Sequence, residues 1–296
     1  MRLDSALIQE AWGVRARNFP PSVTFHRPVS TWSVSVTGGQ CALRCAHCGG
    51  RFLKNMLPWA SFKRRVSVVD PTGRPAATSC LVSGGCDRHG RVPFHAYVEE
   101  LRALKRTRAL RFNFHTGLAG EKEALLLQGL ADKVSFDFVG DDLTIRNVLR
   151  LSKSVADYAA AYQTLRARLP VVPHICIGLD GGRINGEYRA LELLVELGAD
   201  ALVFIVFMPV SGTALADQAP PPLDEVVHLL ARARLLFPDI PLHLGCMRPG
   251  GRYRRRLDYW ALHCGLNHLA TPSREAAAEA ERLGLEVNHR KECCVL

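Results

Sequence analysis

Apolar runs of strand length alternate with stretches of helical periodicity through nearly the whole chain, and that alternation calls for βα units laid on a parallel sheet. Eight runs read as strands: residues 32–36, 80–83, 110–114, 134–139, 172–179, 201–208, 241–246 and 268–270. Helical spacing appears at 94–105, 122–131, 155–169, 188–197, 223–236 and 273–283. The last of these opens on Ser273, a suitable N-terminal cap, and stops at Gly284. Eight strands, each with a following helix or helix-like segment, is the count of a closed (β/α)8 barrel of TIM type. No Gly-, Ser- or Pro-rich linker divides the chain, so the expectation is one α/β barrel over 31–284, with an N-terminal lead-in, 1–30, and a C-terminal tail, 285–296.

A chain of 296 residues with 48% hydrophobic and 22% charged residues can bury a full core. No apolar run approaches the ~18 residues of a membrane span, and Met1 to Ser5 lack a signal-peptide pattern; a cytoplasmic protein is expected. Disulfides among the ten cysteines would need an oxidising compartment, so metal ligation is the better account of them. The net charge of +10 attracts an anionic partner. Nucleic acid is set aside because no binding motif is present. The densest basic run holds Arg252, Arg254, Arg255 and Arg256; it is either a solvated face or a docking patch.

Cys41, Cys45 and Cys48 stand in C-x3-C-x2-C spacing on the loop after the first expected strand. Three thiolates on a short loop can ligate three irons of a [4Fe–4S] cluster and leave the fourth iron open. A structural zinc site or a thiol redox pair are the alternatives. No fourth Cys or His stands at ribbon-like spacing nearby, although His47 lies inside the loop.

This loop resembles the signature of the radical S-adenosylmethionine (SAM) enzymes, with His47 where the family carries a planar residue. The resemblance implies that SAM binds the open iron and is cleaved to a 5'-deoxyadenosyl radical that removes hydrogen from a substrate. The count of βα units points to the subgroup that includes biotin synthase. Several residues at the strand ends then take implied cofactor-binding roles. Ser83, Gly84 and Gly85 resemble the segment that holds the SAM amino group, although Cys86 stands where many relatives carry an acid. His115 is a rim candidate, Asp137 a candidate for the ribose hydroxyls, and Gly178 resembles the segment beside adenine. Asp141 and Asp142 read equally well as helix caps.

Cys86, Cys246, Cys293 and Cys294 form a candidate set for a second [4Fe–4S] cluster above the barrel mouth. The tail would reach it if extended over about 36 Å. The plain account of Cys246 is a small buried residue, which is also the reading adopted for Cys176 and Cys264. The Gly-Cys-Met-Arg-Pro run at 245–249 and Glu292-Cys293-Cys294 resemble the two-component lipoyl synthase within the biotin-synthase-like group. That resemblance implies sulfur insertion at C6 and C8 of an octanoyl chain on a lipoyl carrier protein, with sulfur from a sacrificed auxiliary cluster. It also implies a second radical SAM subunit and a ferredoxin or flavodoxin as electron donor. An octanoyl arm requires a deep apolar lumen, and an acidic carrier suits the arginine run. The rivals are biotin-synthase-type sulfur insertion, a rearrangement without a second cluster, and a non-catalytic metal- or nucleic-acid-binding module.

Overall fold

The computed structural model describes residues 3–68 and 77–296; Met1 and Arg2, the first residues of the expected lead-in, lie outside the described residues. Eleven strands, all paired in parallel, form one curled sheet. They are β1 Ser22–His26, β2 Thr31–Ser35, β3 Leu57–Pro58, β4 Ser79–Ser83, β5 Arg111–His115, β6 Lys133–Asp137, β7 Val171–Ile177, β8 Leu202–Val206, β9 Leu242–Leu244, β10 His268–Ala270 and β11 Glu286–Arg290. The order across the sheet is β11-β1-β10-β9-β8-β7-β6-β5-β4-β2-β3. β1 and β2 follow one another as a bent run. β1 pairs with β10 and β2 with β4, so this run joins the two ends of the β4–β10 arc and curls it into a barrel. The α/β barrel class is therefore as the alternation requires. β1, β3 and β11 were not among the eight expected strands. β11 is largely exposed and polar, and β3 is two residues long, so neither carries an apolar run to read.

Among the described residues ten helices surround the sheet: α1 Ser5–Asn18, α2 Trp59–Ser67, α3 Val98–Arg108, α4 Glu121–Leu127, α5 Asp142–Asn147, α6 Val155–Arg166, α7 Glu187–Leu197, α8 Leu223–Leu236, α9 Gly251–His263 and α10 Arg274–Arg282. The expected helices correspond to α3, α4, α6, α7, α8 and α10, and Ser273 caps α10 by accepting from the Ala276 amide at 3.3 Å. Asp141 caps α5, its carboxylate accepting from the Thr144 amide at 2.6 Å. Strand alternation sends Phe112, Phe114, Phe136 and their neighbours outward against the helices, where all three are almost fully buried and Phe136 meets Tyr162 at 5.8 Å between ring centroids. Each such ring contributes roughly 1.5–3 kcal/mol of hydrophobic stabilisation. Among the described residues no helix is long and apolar enough to cross a membrane.

The inward faces have a different chemistry. Asn113 and Ser135 hydrogen-bond across β5 and β6 at 2.9 Å, His115 meets His174 edge to face at 5.5 Å, and His243 stacks on His268 at 4.1 Å. The lumen is thus lined largely by imidazole, amide and hydroxyl groups rather than being the apolar channel expected for an acyl arm.

The tail does not climb to the mouth. It enters the lumen at the end where the strands begin. The Cys293 amide donates to the Thr31 hydroxyl at 2.9 Å, Thr78 donates to Glu292 at 2.8 Å, and Arg111 binds both the Glu292 carboxylate and the Leu296 carbonyl. Cys294 and Val295 are buried with Val172, Val203 and Ala270.

Candidate active site

The cysteine loop leaves β2 as a series of turns. Ser35 donates to the Gly38 carbonyl at 2.7 Å, and Thr37 donates to the Gln40 carbonyl at 2.9 Å and accepts from the Gly85 amide at 2.7 Å. The Ala42 amide donates to the Cys86 carbonyl at 2.8 Å, so this loop and the turn after β4 brace each other at the C-terminal rim. Gly85 is required there. A Cβ would stand 1.9 Å from the Gln40 carbonyl oxygen and 2.6 Å from the Cys41 Cα. Gly84 is less tightly held, its nearest contact being 3.1 Å from Thr37 and Val36, and the Ser83 carbonyl accepts from the Val36 amide at 2.8 Å.

The ligating atoms of Cys45, His47 and Cys48 lie within 4.8 Å of one another. Cys41 is outside that group, though close enough to act electrostatically on Cys45. The Cys45 thiol is raised, chiefly by its hydrogen bond to Cys48, and Cys48 is lowered by the same bond. His47 Nδ1 is buried without a hydrogen-bond partner. An open cleft of about 380 Å³ lies alongside, lined by Thr37, Gln40, Cys41, Gly85 and Cys86 among others. Two converging thiols, one of them held toward the thiolate form, a third close by on the same loop, and an orphaned buried imidazole nitrogen are a donor set that fits a metal cluster.

Cys86 belongs to this neighbourhood. Its thiol is pushed up to about 12 by burial first and then by Cys41, Asp137, Asp87 and Cys48. Asp137 is prominently exposed for a strand residue, with 64% of its side chain accessible, and stands 4.0 Å from His115 Nδ1. His115 is lowered by burial, which outweighs that carboxylate, and His174 is lowered to about 4 for the same reason with His115 adding to it. Asp137 also acts on Cys176 and Tyr158, so it sits between the cysteine loop and the lumen. Gly178 adopts φ +77° and its amide donates to Glu187 Oε1 at 2.6 Å. Glu187 was not singled out from sequence. It is buried, raised by desolvation, and also accepts from the Gly186 amide, so it fixes the turn beside a small cavity of about 20 Å³ lined by Phe138, Gly140, Ile175, Cys176 and Leu179. Its sequence signal is a carboxylate one residue after a glycine at a helix start.

The remaining cysteines form a second neighbourhood. Cys246, two residues beyond β9, is exposed, and its thiol is raised by desolvation first and then by Cys293, which lies within electrostatic reach. Cys293 is lowered by a hydrogen bond from the Cys294 thiol, and Asn113 Nδ2 approaches its sulfur at 3.9 Å. Cys294 is raised by that same bond, by burial, and by Cys293 and Cys246. The expected set of four is therefore divided: Cys86 lies against the cysteine loop, Cys293 and Cys294 are seated in the lumen, and Cys246 is exposed just beyond β9 within electrostatic reach of that pair. Sheet curl, which no local pattern encodes, makes that division.

Of the arginines, Arg254 is engaged inward, donating to the Cys246 and Arg248 carbonyls at 3.2 and 3.0 Å and to Thr271 at 3.2 Å. Arg255 pairs with Glu275 at 3.2 Å, while Arg252 and Arg256 are exposed.

Comparison with solved structures aligns 97% of the chain with 89% of methylornithine synthase (PylB) at TM-score 0.69 and 16% identity. It aligns 95% with 71% of the FeFe-hydrogenase maturase HydG from Carboxydothermus hydrogenoformans at TM-score 0.67 and 13% identity. The chain shares the parallel α/β barrel fold of these two proteins. Among curated proteins, biotin synthase from Campylobacter hominis is 22% identical over 256 residues, covering 80% of this chain and 74% of that protein. No protein-family model matches the sequence. In this barrel the cysteine loop, Asp137 and Gly178 all lie at the C-terminal ends of strands, the working face of a parallel barrel.

Proposed function

We propose that the chain is a radical SAM enzyme of the biotin-synthase-like group that inserts sulfur at unactivated carbon, as a two-component lipoyl synthase subunit does on the octanoyl chain of a lipoyl carrier protein. When bound, a [4Fe–4S] cluster with SAM supplies a 5'-deoxyadenosyl radical able to remove hydrogen from such a carbon. Cys41, Cys45 and Cys48 hold the cluster, and Ser83, Gly84 and Gly85 offer main-chain groups to the SAM amine. Asp137 and His115 face the ribose, and Gly178, braced by Glu187, borders the adenine. Arg252 and Arg256 meet the carrier, a second radical SAM subunit completes the reaction, and ferredoxin or flavodoxin donates the electron.

What supports sulfur insertion, rather than a rearrangement, is a second set of thiols away from the cysteine loop: Cys293 and Cys294 seated in the lumen against Thr31, Asn113 and the Val172–Val203 cluster, with Cys246 within electrostatic reach of them. A second reading, insertion of the biotin-synthase type, is favoured by the imidazole-lined lumen, which suits a substrate with hydrogen-bonding groups of its own. The test is anaerobic reconstitution with ferrous iron and ³⁴S-sulfide, followed by turnover with an octanoyl-lysine carrier peptide or with dethiobiotin. Iron near eight per chain and ³⁴S in one product support sulfur insertion and identify the substrate. Deoxyadenosine formation with about four irons and no sulfur in either product would overturn it.

A further inference from the structure

His243 is an imidazole with nothing to bind. It is 6% exposed, and neither Nδ1 nor Nε2 has a hydrogen-bond partner. The Cys294 main chain lies beside it without meeting hydrogen-bond geometry. Burying two unpaired ring nitrogens costs free energy that a bound ligand would offset.

The ring is nevertheless held in place, by groups that leave both nitrogens unused. His268 stacks on it at an interplanar angle of 16°, His26 Nε2 lies 3.0 Å from His268 Nδ1, and His26 Nδ1 lies 3.3 Å from the Glu292 carbonyl of the tail. The seating of the tail and the orientation of His243 are thus one arrangement. In register, His243 lies beside Val203 of β8, the residue on which Cys294 packs.

We propose that His243 supplies a nitrogen ligand to an iron–sulfur centre held by Cys246 and the Cys293–Cys294 pair. This rests on the auxiliary centre of the sulfur-insertion reading and adds to it a ligand of a different element. An imidazole ligates through an unprotonated ring nitrogen, and both nitrogens of the buried His243 ring are without a hydrogen-bond partner. His268 and His26 act as positioning residues through the stack. Cys86 takes no part.

The test uses the full chain carrying Cys41→Ala, Cys45→Ala and Cys48→Ala, so that only the lumen centre remains, labelled with [¹⁵N]histidine and reconstituted with ferrous iron and sulfide. Retention of about four irons with a directly bound ¹⁵N coupling in electron–nuclear double resonance, lost in an added His243→Asn variant, is the expected result. Iron retained with no ¹⁵N coupling, or a coupling that survives His243→Asn, overturns the ligand and leaves the auxiliary centre standing. No retained iron overturns the centre and the ligand together. Should His243→Asn fail to fold, His268→Phe keeps a stacking partner and preserves the coupling if His243 is the ligand; its loss assigns the coupling to His268 and overturns the proposal.

Discussion

Gly85 shows how one missing atom shapes the site. A methyl group there would overlap the main chain of the cysteine loop, which cannot yield as a flexible side chain would. Gly85→Ala is expected to destabilise the loop by about 2–4 kcal/mol and to reduce the iron held by Cys41, Cys45 and Cys48. Iron analysis and thermal unfolding check this, and unchanged iron with an unchanged melt would refute it. The thiol spacing and the adjacent glycines were legible in the sequence because both are local patterns. Glu187, His243 and the partners of Cys86 were not, since a lone Glu or His carries no pattern and its neighbours are set by strand register and curl. Arg254 shows the same limit. In sequence it belongs to a basic run, yet in space it ties down the segment bearing Cys246.

At the level of elements, the alternation of runs located most of the barrel strands and six helices, and missed elements whose character is not apolar. α9 was read as a charge run because its arginines dominate, although Leu257, Asp258, Ala261 and Leu262 form a buried stripe at helical spacing. α1 has Leu7, Ile8, Ala11 and Val14 in the same spacing and packs on α8. The tail beyond β11 was the hardest to place, because its position depends on an ion pair with Arg111, on Thr31 and on Thr78, which come from distant parts of the sequence. Removing residues 291–296 takes Cys294 and Val295 out of contact with Val172, Val203 and Ala270 and should cost about 2–4 kcal/mol. Urea unfolding measures this. A midpoint equal to that of the full chain would show the tail to be an ornament on the barrel rather than part of its packing.

At the level of the molecule, two properties act together: a lumen closed at its lower end by the tail, and a net charge of +10 outside it. On the proposed function, a partner carrying substrate would approach the C-terminal rim, where α9 begins directly after the loop that bears Cys246. Arg252 and Arg256 are one helical turn apart and exposed there, whereas Arg254 and Arg255 are already engaged. Exposed charges at a rim act mainly on encounter and are screened by salt. Reversal in an Arg252→Glu/Arg256→Glu double variant should raise the apparent KM for an acidic carrier domain by about 10-fold at low ionic strength, shrinking as salt is added. SAM cleavage without carrier should stay at the parent rate, since neither residue borders the cysteine loop or Asp137. Equal losses in both assays, or a KM effect indifferent to salt, would mean that the substitutions disturb α9 and that the carrier docks elsewhere.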